Sequence, residues 1–369
     1  MTEKGENGLF IFRRDLRIVD NNGLNLLSTL AKNIYTIFIF TPEQVGSGNK
    51  YKSDNSVQFM IQSLHDLSSQ ISKAGGHLYT FYGHNDSVIE ACIKAWDINI
   101  VCYNVDITPY ARERDEKIVK LCERLKTYVV YSHDYFLHQP GTVLNGSKEI
   151  YKKFTPYYTA AQKKKVEAPA NAKKIHFKRS EAHIANKFSL DSALKKFVGK
   201  ENPDILVHGG RSEAIKQMRI AAKNIAHYSQ TRDELSKPTS QLSAFIKFGC
   251  VSIREVYKAF RSNHSFIRQL YWRDFYAGVL YGYPRVLGHN LNEKYDKMID
   301  YSVADMKNVG NGRGAGTITA TQWAGLVYTV NKALGHQGQT RLASGSNIGI
   351  VAGEVITAFA NVSTAITST

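Results

Sequence analysis

The chain has 369 residues, of which 43% are hydrophobic, and its 48 Lys and Arg residues exceed its 32 Asp and Glu residues by 16 charges. This length exceeds the usual limit of one hydrophobic core, so we expect two domains, and the apolar fraction is ordinary for a soluble globular protein. The positive excess favours a polyanionic partner, first of all nucleic acid, with a merely well-solvated basic surface as the alternative.

Four cysteines form neither a CxxC pair nor a cluster with histidine: Cys92, Cys102, Cys122 and Cys250. We therefore expect buried, reduced side chains and no metal site. The polar residues 1–7 are not a secretory signal. The most apolar stretch, residues 348–366, is interrupted by Glu354, which disfavours a membrane span there. We expect an intracellular, soluble protein, cytoplasmic or nuclear, without a membrane partner.

Residues 8–133 alternate short apolar runs with segments of helix length. The runs are rich in β-branched and aromatic residues, as in strands buried on both faces of a parallel sheet: residues 9–12, 34–40, 77–82, 98–103 and 128–131. The alternation predicts an α/β fold with an N-terminal, doubly wound parallel sheet of Rossmann-like type. No GxGxxG follows the first run, which disfavours a dinucleotide held in the usual Rossmann manner.

The later sequence changes character twice. Residues 162–179 are rich in lysine and poor in large apolar residues, which indicates an exposed linker, with nuclear import or DNA contact as the alternative role of the lysines. Helical patterns follow, and the last 69 residues hold only six charged side chains. We predict an α/β domain, a linker, a mainly α-helical and truncated domain, and an atypical Gly/Ala/Thr-rich tail: residues 1–160, 161–204, 205–301 and 302–369.

Three motifs carry the chemistry. The first, residues 12–21, reads FRRDLRIVDN directly after the opening strand. Taken alone, it predicts an ion-pair network at the carboxyl end of that strand, with Asp20 or Asn21 capping a helix. It closely resembles the segment that opens DNA photolyases and cryptochromes. Further matches lie at residues 40–43 and 110–115, and residues 151–158 resemble the segment that closes the family's α/β domain.

The second motif, residues 239–243, reads TSQLS before a helix. Taken alone, its hydroxyls either cap that helix or bind an anion. It resembles the family's segment for the FAD pyrophosphate. The resemblance implies that Arg232 faces a DNA phosphate and that FAD is bound by Tyr228, Thr239, Ser240, Gln241, Leu242, Ser243, Phe266 and Arg273.

The third motif, residues 266–276, reads as an amphipathic, aromatic helix and taken alone favours a core helix. It is similar to the family's helix between flavin and lesion. The resemblance implies that Trp272 stacks against a flipped-out pyrimidine dimer and that Gln269 occupies a position where repair enzymes often carry Glu. A neutral amide donates and accepts hydrogen bonds but cannot act as an acid. The implied catalytic residues are Trp272 and Gln269, and the implied DNA contacts are Arg232, Gln269, Trp272, Arg273 and Tyr276.

The resemblance ends near Tyr301. The family's segments around the adenine and isoalloxazine rings have no match in residues 302–369, and Trp323 alone remains for its three-tryptophan relay. The resemblance implies light-driven electron transfer from reduced FAD to cyclobutane pyrimidine dimers in DNA, as in a deoxyribodipyrimidine photo-lyase. Because these segments are missing, we expect FAD binding to be weak or lost, or a partner chain to complete the flavin pocket. The alternatives are an inactive remnant that binds nucleic acid and a cryptochrome-like blue-light receptor. No residue pattern selects an antenna chromophore.

Overall fold

The computed structural model describes residues 5–298, apart from residues 172, 235 and 236. Residues Met1–Leu291 form one compact unit, and Asn292–Thr369 form a second, of which the described part is a 3-10 turn at Glu293–Met298. The predicted tail at 302–369, with Trp323 and the apolar stretch 348–366, lies outside the described residues. No helix within the described residues is long and apolar enough to cross a bilayer.

A five-stranded, wholly parallel sheet forms the centre of the first unit, in the order β3-β2-β1-β4-β5. Its strands are β1 Gly5–Phe12, β2 Ala31–Phe40, β3 Leu78–Tyr82, β4 Ile100–Asn104 and β5 Tyr128–Ser132. All five correspond to the apolar runs in the sequence, so the predicted doubly wound sheet is confirmed. The chain moves outward from β1 to β3 and then returns past β1 to β4, which leaves a crevice where the strand order reverses.

Helices cover both faces of the sheet because alternate residues of each strand point in opposite directions. In β1, Phe10 and Phe12 belong to one buried cluster, whereas Leu9 and Ile11 belong to another. The first cluster includes residues of α1 and α3, and the second includes residues of α4 and α5. The helices are α1 Asn22–Leu30, α2 Pro42–Val45, α3 Asp54–Lys73, α4 Asn85–Trp96 and α5 Pro109–Arg124.

The second half of the unit is helical and shares the first of these cores. The rings of Phe59 on α3 and Phe245 on α10 lie 5.2 Å apart, for example. The helices are α6 Phe154–Gln162, α7 Leu190–Phe197, α8 Arg211–Asn224, α9 Tyr228–Thr231, α10 Ser243–Lys247, α11 Ile253–Phe260 and α12 His264–Gly282, with 3-10 turns at Ile225–His227 and Pro284–Val286. The predicted mainly helical character after the linker is confirmed. All four cysteines are buried, as predicted.

The connector between α6 and α7 runs along the edge of the sheet. Lys178 donates its backbone N–H to the carbonyl of Ile34 in β2 at 2.8 Å. Phe188 donates likewise to Thr80 in β3 at 2.8 Å, and Phe177 is buried. Strand β3 is an edge strand, and the backbone N–H and C=O groups on its outer side would otherwise face solvent. The connector supplies hydrogen-bond partners to that side.

A buried ion-pair network joins the carboxyl end of β1 to α11. Arg254 of α11 donates to Asp20 at 3.1 Å and to Asp134 at 2.7 Å, and Arg17 donates to the same Asp134. All four side chains are at most 5% exposed. The network predicted from the first motif is therefore present. Asn21 caps α1 by accepting a hydrogen bond from the N–H of Leu24 at 3.2 Å, as predicted.

Candidate cofactor and nucleic-acid sites

A cavity of about 310 Å³ lies at the carboxyl ends of β1, β2 and β4, beside the point where the strand order reverses. Open α/β sheets bind small molecules at this place because the loops that leave neighbouring strands diverge there. Arginine side chains converge on the cavity together with Asp106 and Tyr135. Sequence reasoning missed this cavity, although the three arginines that line it, Arg13, Arg14 and Arg114, lie in the first motif and in the matched segment 110–115.

Two of the arginines that line this cavity, Arg13 and Arg114, have side-chain N–H donors that are not all used within the described residues. Arg13 pairs with Asp115 at 2.9 Å and stacks over the ring of Tyr103 at 4.0 Å. Arg114 reaches the same Asp115 at 3.0 Å. Among the described residues, one terminal guanidinium nitrogen of each arginine is buried without a hydrogen-bond partner. Buried donors are normally paired, so these two nitrogens are exceptions, but they have almost no accessible surface and do not themselves face the cavity.

The second motif lies at the surface of the helical half. Gln241 has a positive φ of 52°, and the chain turns there so that Leu242 is buried. Thr239 and Ser243 on either side are exposed. The Ser240 carbonyl accepts a hydrogen bond from Gln217 of α8 at 2.9 Å, which fixes the turn against that helix. The hydroxyls of the motif are therefore presented to solvent, where they can bind an anion.

Tyr228 and Phe266 meet where α9 packs against the first turn of α12. Their rings are 5.3 Å apart and nearly perpendicular. Burial raises the pKa of Tyr228, so this side chain stays a neutral phenol at physiological pH. Arg232 follows one turn later, with 36% of its side chain exposed, and pairs with Asp233 at 3.4 Å. Two predicted FAD contacts and one predicted phosphate contact thus lie close together.

The third motif forms the middle of α12. Gln269, Trp272, Arg273 and Tyr276 have the spacing of one helix face, but their neighbours differ. The indole of Trp272 stacks on Phe154 of α6 at 3.6 Å between ring centres. Gln269 is partly buried and Tyr276 is 63% exposed.

Arg273 turns toward the loop after β5. It donates to the carbonyl of Tyr135 at 2.6 Å and lies 4.8 Å from the ring centre of Phe136. Burial lowers the pKa of Arg273 from its ordinary value. The structure therefore ties this predicted flavin and DNA contact to the α/β half of the unit.

Asp274, which sequence reasoning missed, is a fully buried carboxyl on the same helix. It accepts a hydrogen bond from the backbone N–H of His138 at 3.1 Å, and Arg273 lies 3.4 Å away. Burial is the largest influence and raises the pKa of Asp274 to about 7. The signal in the sequence was an acidic residue between the aromatic residues of the third motif.

The sequence model described as DNA photolyase matches residues 9–174. The chain also resembles the solved archaeal photolyase from Sulfolobus tokodaii, with 31% identity, a TM-score of 0.73, and coverage of 83% of this chain and 67% of that one. The chain belongs to the photolyase/cryptochrome family. The structure of that relative is described as holding two FAD molecules and as implicating a novel light-harvesting cofactor.

Curated members of the photolyase/cryptochrome family resemble the chain less closely. It is 26% identical over 319 residues to the deoxyribodipyrimidine photo-lyase of Halobacterium salinarum, covering 79% of this chain and 65% of that protein. It is 26% identical over 319 residues to Cryptochrome-1 of Anopheles gambiae, covering 73% and 57%. The chain spans 56 to 65% of the length of the first curated relatives.

Proposed function

We propose that the chain is a photolyase-type flavoprotein that acts on DNA containing cyclobutane pyrimidine dimers. When bound, reduced FAD supplies the light-driven electron that splits the dimer. The observation that carries the proposal is the face of α12, where Gln269 and Tyr276 flank the partly buried indole of Trp272 in a basic, photolyase-like chain. Such a face provides what an extruded base needs, namely flat aromatic surface and polar groups for its edge.

The residues for FAD divide by the part of the cofactor that they suit. Exposed hydroxyls at 239–243 suit the pyrophosphate, because hydroxyl and N–H donors stabilise an anion. Tyr228 and Phe266 supply an apolar wall at the start of α12. The side-chain amide of Gln269 donates and accepts hydrogen bonds without changing its charge, so it can orient a pyrimidine carbonyl but cannot protonate it.

Arg232 suits a phosphate of the DNA strand. Its side chain is partly exposed, and its ion-pair partner among the described residues is the exposed Asp233, so a phosphate can compete for it. We further propose that the cavity at β1 and β4 holds a light-harvesting chromophore, with a carbonyl or anionic edge toward Arg13 and Arg114. The three arginines that line the cavity, Arg13, Arg14 and Arg114, support this assignment.

The two alternatives rest on different observations. A remnant that binds nucleic acid without repairing it is favoured by the charge of +16, which suits a polyanion whether or not FAD is bound. The one observation that favours a cryptochrome-like receptor is that cryptochromes are among the similar proteins. The charge of +16 and the aromatic face of α12 favour nucleic acid over signalling.

An absorbance spectrum and a repair assay distinguish these functions. The full chain is incubated with FAD and freed of unbound FAD by gel filtration before its absorbance is recorded. It is then reduced, mixed with oligothymidylate that contains cyclobutane dimers, and illuminated. A light-dependent loss of dimers is the expected result. Flavin absorbance without repair would support the receptor, and neither absorbance nor repair would leave the remnant.

A further inference from the structure

An open groove of about 980 Å³ lies between the loop that follows α2 and the end of α7, beside the carboxyl end of β3. We call it the α7 groove. Within the described part of the chain, Glu43 is the one lining residue that it has in common with the cavity at the carboxyl ends of β1, β2 and β4. The α7 groove is therefore a separate space. Lysines and aromatic residues dominate its lining: Lys50, Lys52, Lys196, Tyr51, Tyr82 and Phe197.

The loop that forms one wall of the groove is fixed by Asn49. The side chain of Asn49 donates to the carbonyl of Gln44 at 2.9 Å and accepts from the N–H of Tyr51 at 3.0 Å. Its carbonyl accepts from the N–H of Lys52 at 3.1 Å. The ammonium of Lys52 then donates to the carbonyl of Phe197 at the end of α7, which joins the two walls. A groove formed in advance lowers the entropic cost of binding.

Lys196 places a cation in the groove that no carboxylate neutralises. Its Nζ lies 4.1 Å from the ring centre of Tyr82, and 5.5 and 5.8 Å from those of Phe188 and Phe197. Cation–π attraction to these rings holds the ammonium in position. Among the described residues, neither Lys196 nor the exposed Lys50 has a carboxylate partner. Both ammonium groups therefore remain available to an anion.

The charge of the groove is positive overall. Its three lysines are joined by one acidic residue, Glu43, which pairs with His84 at 3.2 Å. Lys52 pairs with Asp54 at 3.1 Å, but that carboxyl is 65% exposed, so an anion can compete for Lys52. Three ammonium groups around one space suit a ligand with more than one phosphate.

Tyr51 adds a flat aromatic surface to these cations. It is 97% exposed and stands between Lys50 and Lys52 in the fixed loop. A tyrosine ring loses little conformational freedom when a planar group stacks on it. A nucleic-acid strand is bound by several rings in series, whereas one free ring beside three cations matches one base with its own phosphates. The volume of the groove lies at the upper end of the range for small-molecule sites, about 300–1,000 Å³.

We propose that the α7 groove binds a nucleoside di- or triphosphate, with the base on Tyr51 and the phosphates on Lys50, Lys52 and Lys196. This inference goes beyond the proposed function and does not depend on it. None of these four residues lies in the segments assigned to FAD or to DNA.

The test measures binding of a fluorescent nucleotide, mant-ATP, to the full chain in the dark by fluorescence anisotropy. Tyr51→Ala should weaken binding about tenfold, the worth of one stacked base, and Tyr51→Phe should keep the affinity. Lys196→Gln should also weaken binding about tenfold, because it removes one charged contact with a phosphate. Unlabelled ATP and ADP should displace the probe at lower concentrations than AMP, and adenosine should be the weakest competitor.

Two matched control variants should bind mant-ATP as wild type does. Tyr128→Ala removes a tyrosine that is 75% exposed on β5, at the other edge of the sheet. Lys73→Gln removes an exposed lysine at the far end of α3, about 30 Å along the helix from Asp54. Circular dichroism of each variant checks that the fold is intact.

Four results would overturn the inference. The first is wild-type affinity in both Tyr51→Ala and Lys196→Gln, and the second is no binding by the wild-type chain up to about 1 mM mant-ATP. The third is loss of binding in Thr239→Ala alone, which would place the nucleotide at the second motif. The fourth is displacement of the probe by oligothymidylate at a lower concentration than by ATP, which would assign the groove to a single strand.

Discussion

Replacing the buried carboxyl of Asp274 should change how the stability of the fold depends on pH. The ordinary pKa of an aspartate is 3.8, and burial raises that of Asp274 in the folded chain to about 7. In the unfolded chain the carboxyl loses its proton near its ordinary pKa. Between about pH 4 and about pH 7 the folded state therefore holds one more proton than the unfolded state, so this residue lowers stability as pH rises.

The size of the effect follows from the pKa difference. Each pKa unit corresponds to about 1.4 kcal/mol, so ionised Asp274 costs roughly 4 kcal/mol of folding free energy above about pH 7. Arg273 and the N–H groups of Leu137 and His138 act in the opposite direction but do not outweigh burial. Burial also lowers the pKa of His138, so this imidazole adds no positive charge there at neutral pH.

The assay is urea unfolding of wild type and Asp274→Asn at several pH values from about 4 to about 8. The amide keeps an oxygen that accepts from the N–H of His138 and does not titrate. The free energy of unfolding of the variant, relative to wild type, should rise by roughly 3–4 kcal/mol across this range. Asp191→Asn, at a side chain that is 91% exposed, is the control and should show almost no change. A difference between Asp274→Asn and wild type that is independent of pH would refute the reasoning.

Three further outcomes are expected. Gly249→Ala should lower the free energy of unfolding by more than about 2 kcal/mol, because φ at Gly249 is +67° and the added Cβ would lie 2.2 Å from a backbone carbonyl oxygen. Gly278→Ala is the control: this helical glycine has open space where the Cβ would lie, so the change should be neutral or stabilising. Chemical denaturation checks both. Arg254→Ala should cost about 3–5 kcal/mol by leaving Asp20 and Asp134 short of a buried partner, as the same assay measures. The chain purified without added FAD should carry much less than one flavin per protein, and a stoichiometric visible flavin spectrum would contradict this.

Much of the α/β half could be predicted because its signals are local. Each strand is a short apolar run, and the cap of α1 is an asparagine at the expected position. The motif at residues 12–21 also indicated its ion pairs, since charged residues after a buried strand need partners.

The side-chain environment of α12 could not be predicted in the same way. Helical spacing places Trp272 and Arg273 on one face but does not say that Phe154 stacks on the first or that Tyr135 accepts from the second. Both contacts join residues more than a hundred positions apart. The raised pKa of Asp274 depends on how completely its neighbours exclude water, which no local pattern of residues encodes.

The ion-pair network has a consequence for the order of folding. Arg254 reaches Asp20 across 234 positions of the chain. During synthesis, therefore, all five strands of the sheet are made long before Arg254, the last arginine of the network. Until then Asp20 lacks Arg254, and Asp134 has only Arg17 of its two arginine partners. Docking of α11 supplies this partner, so we expect the sheet to reach full stability only at that step. The amino-terminal half thus depends for its own completion on a residue that is made late.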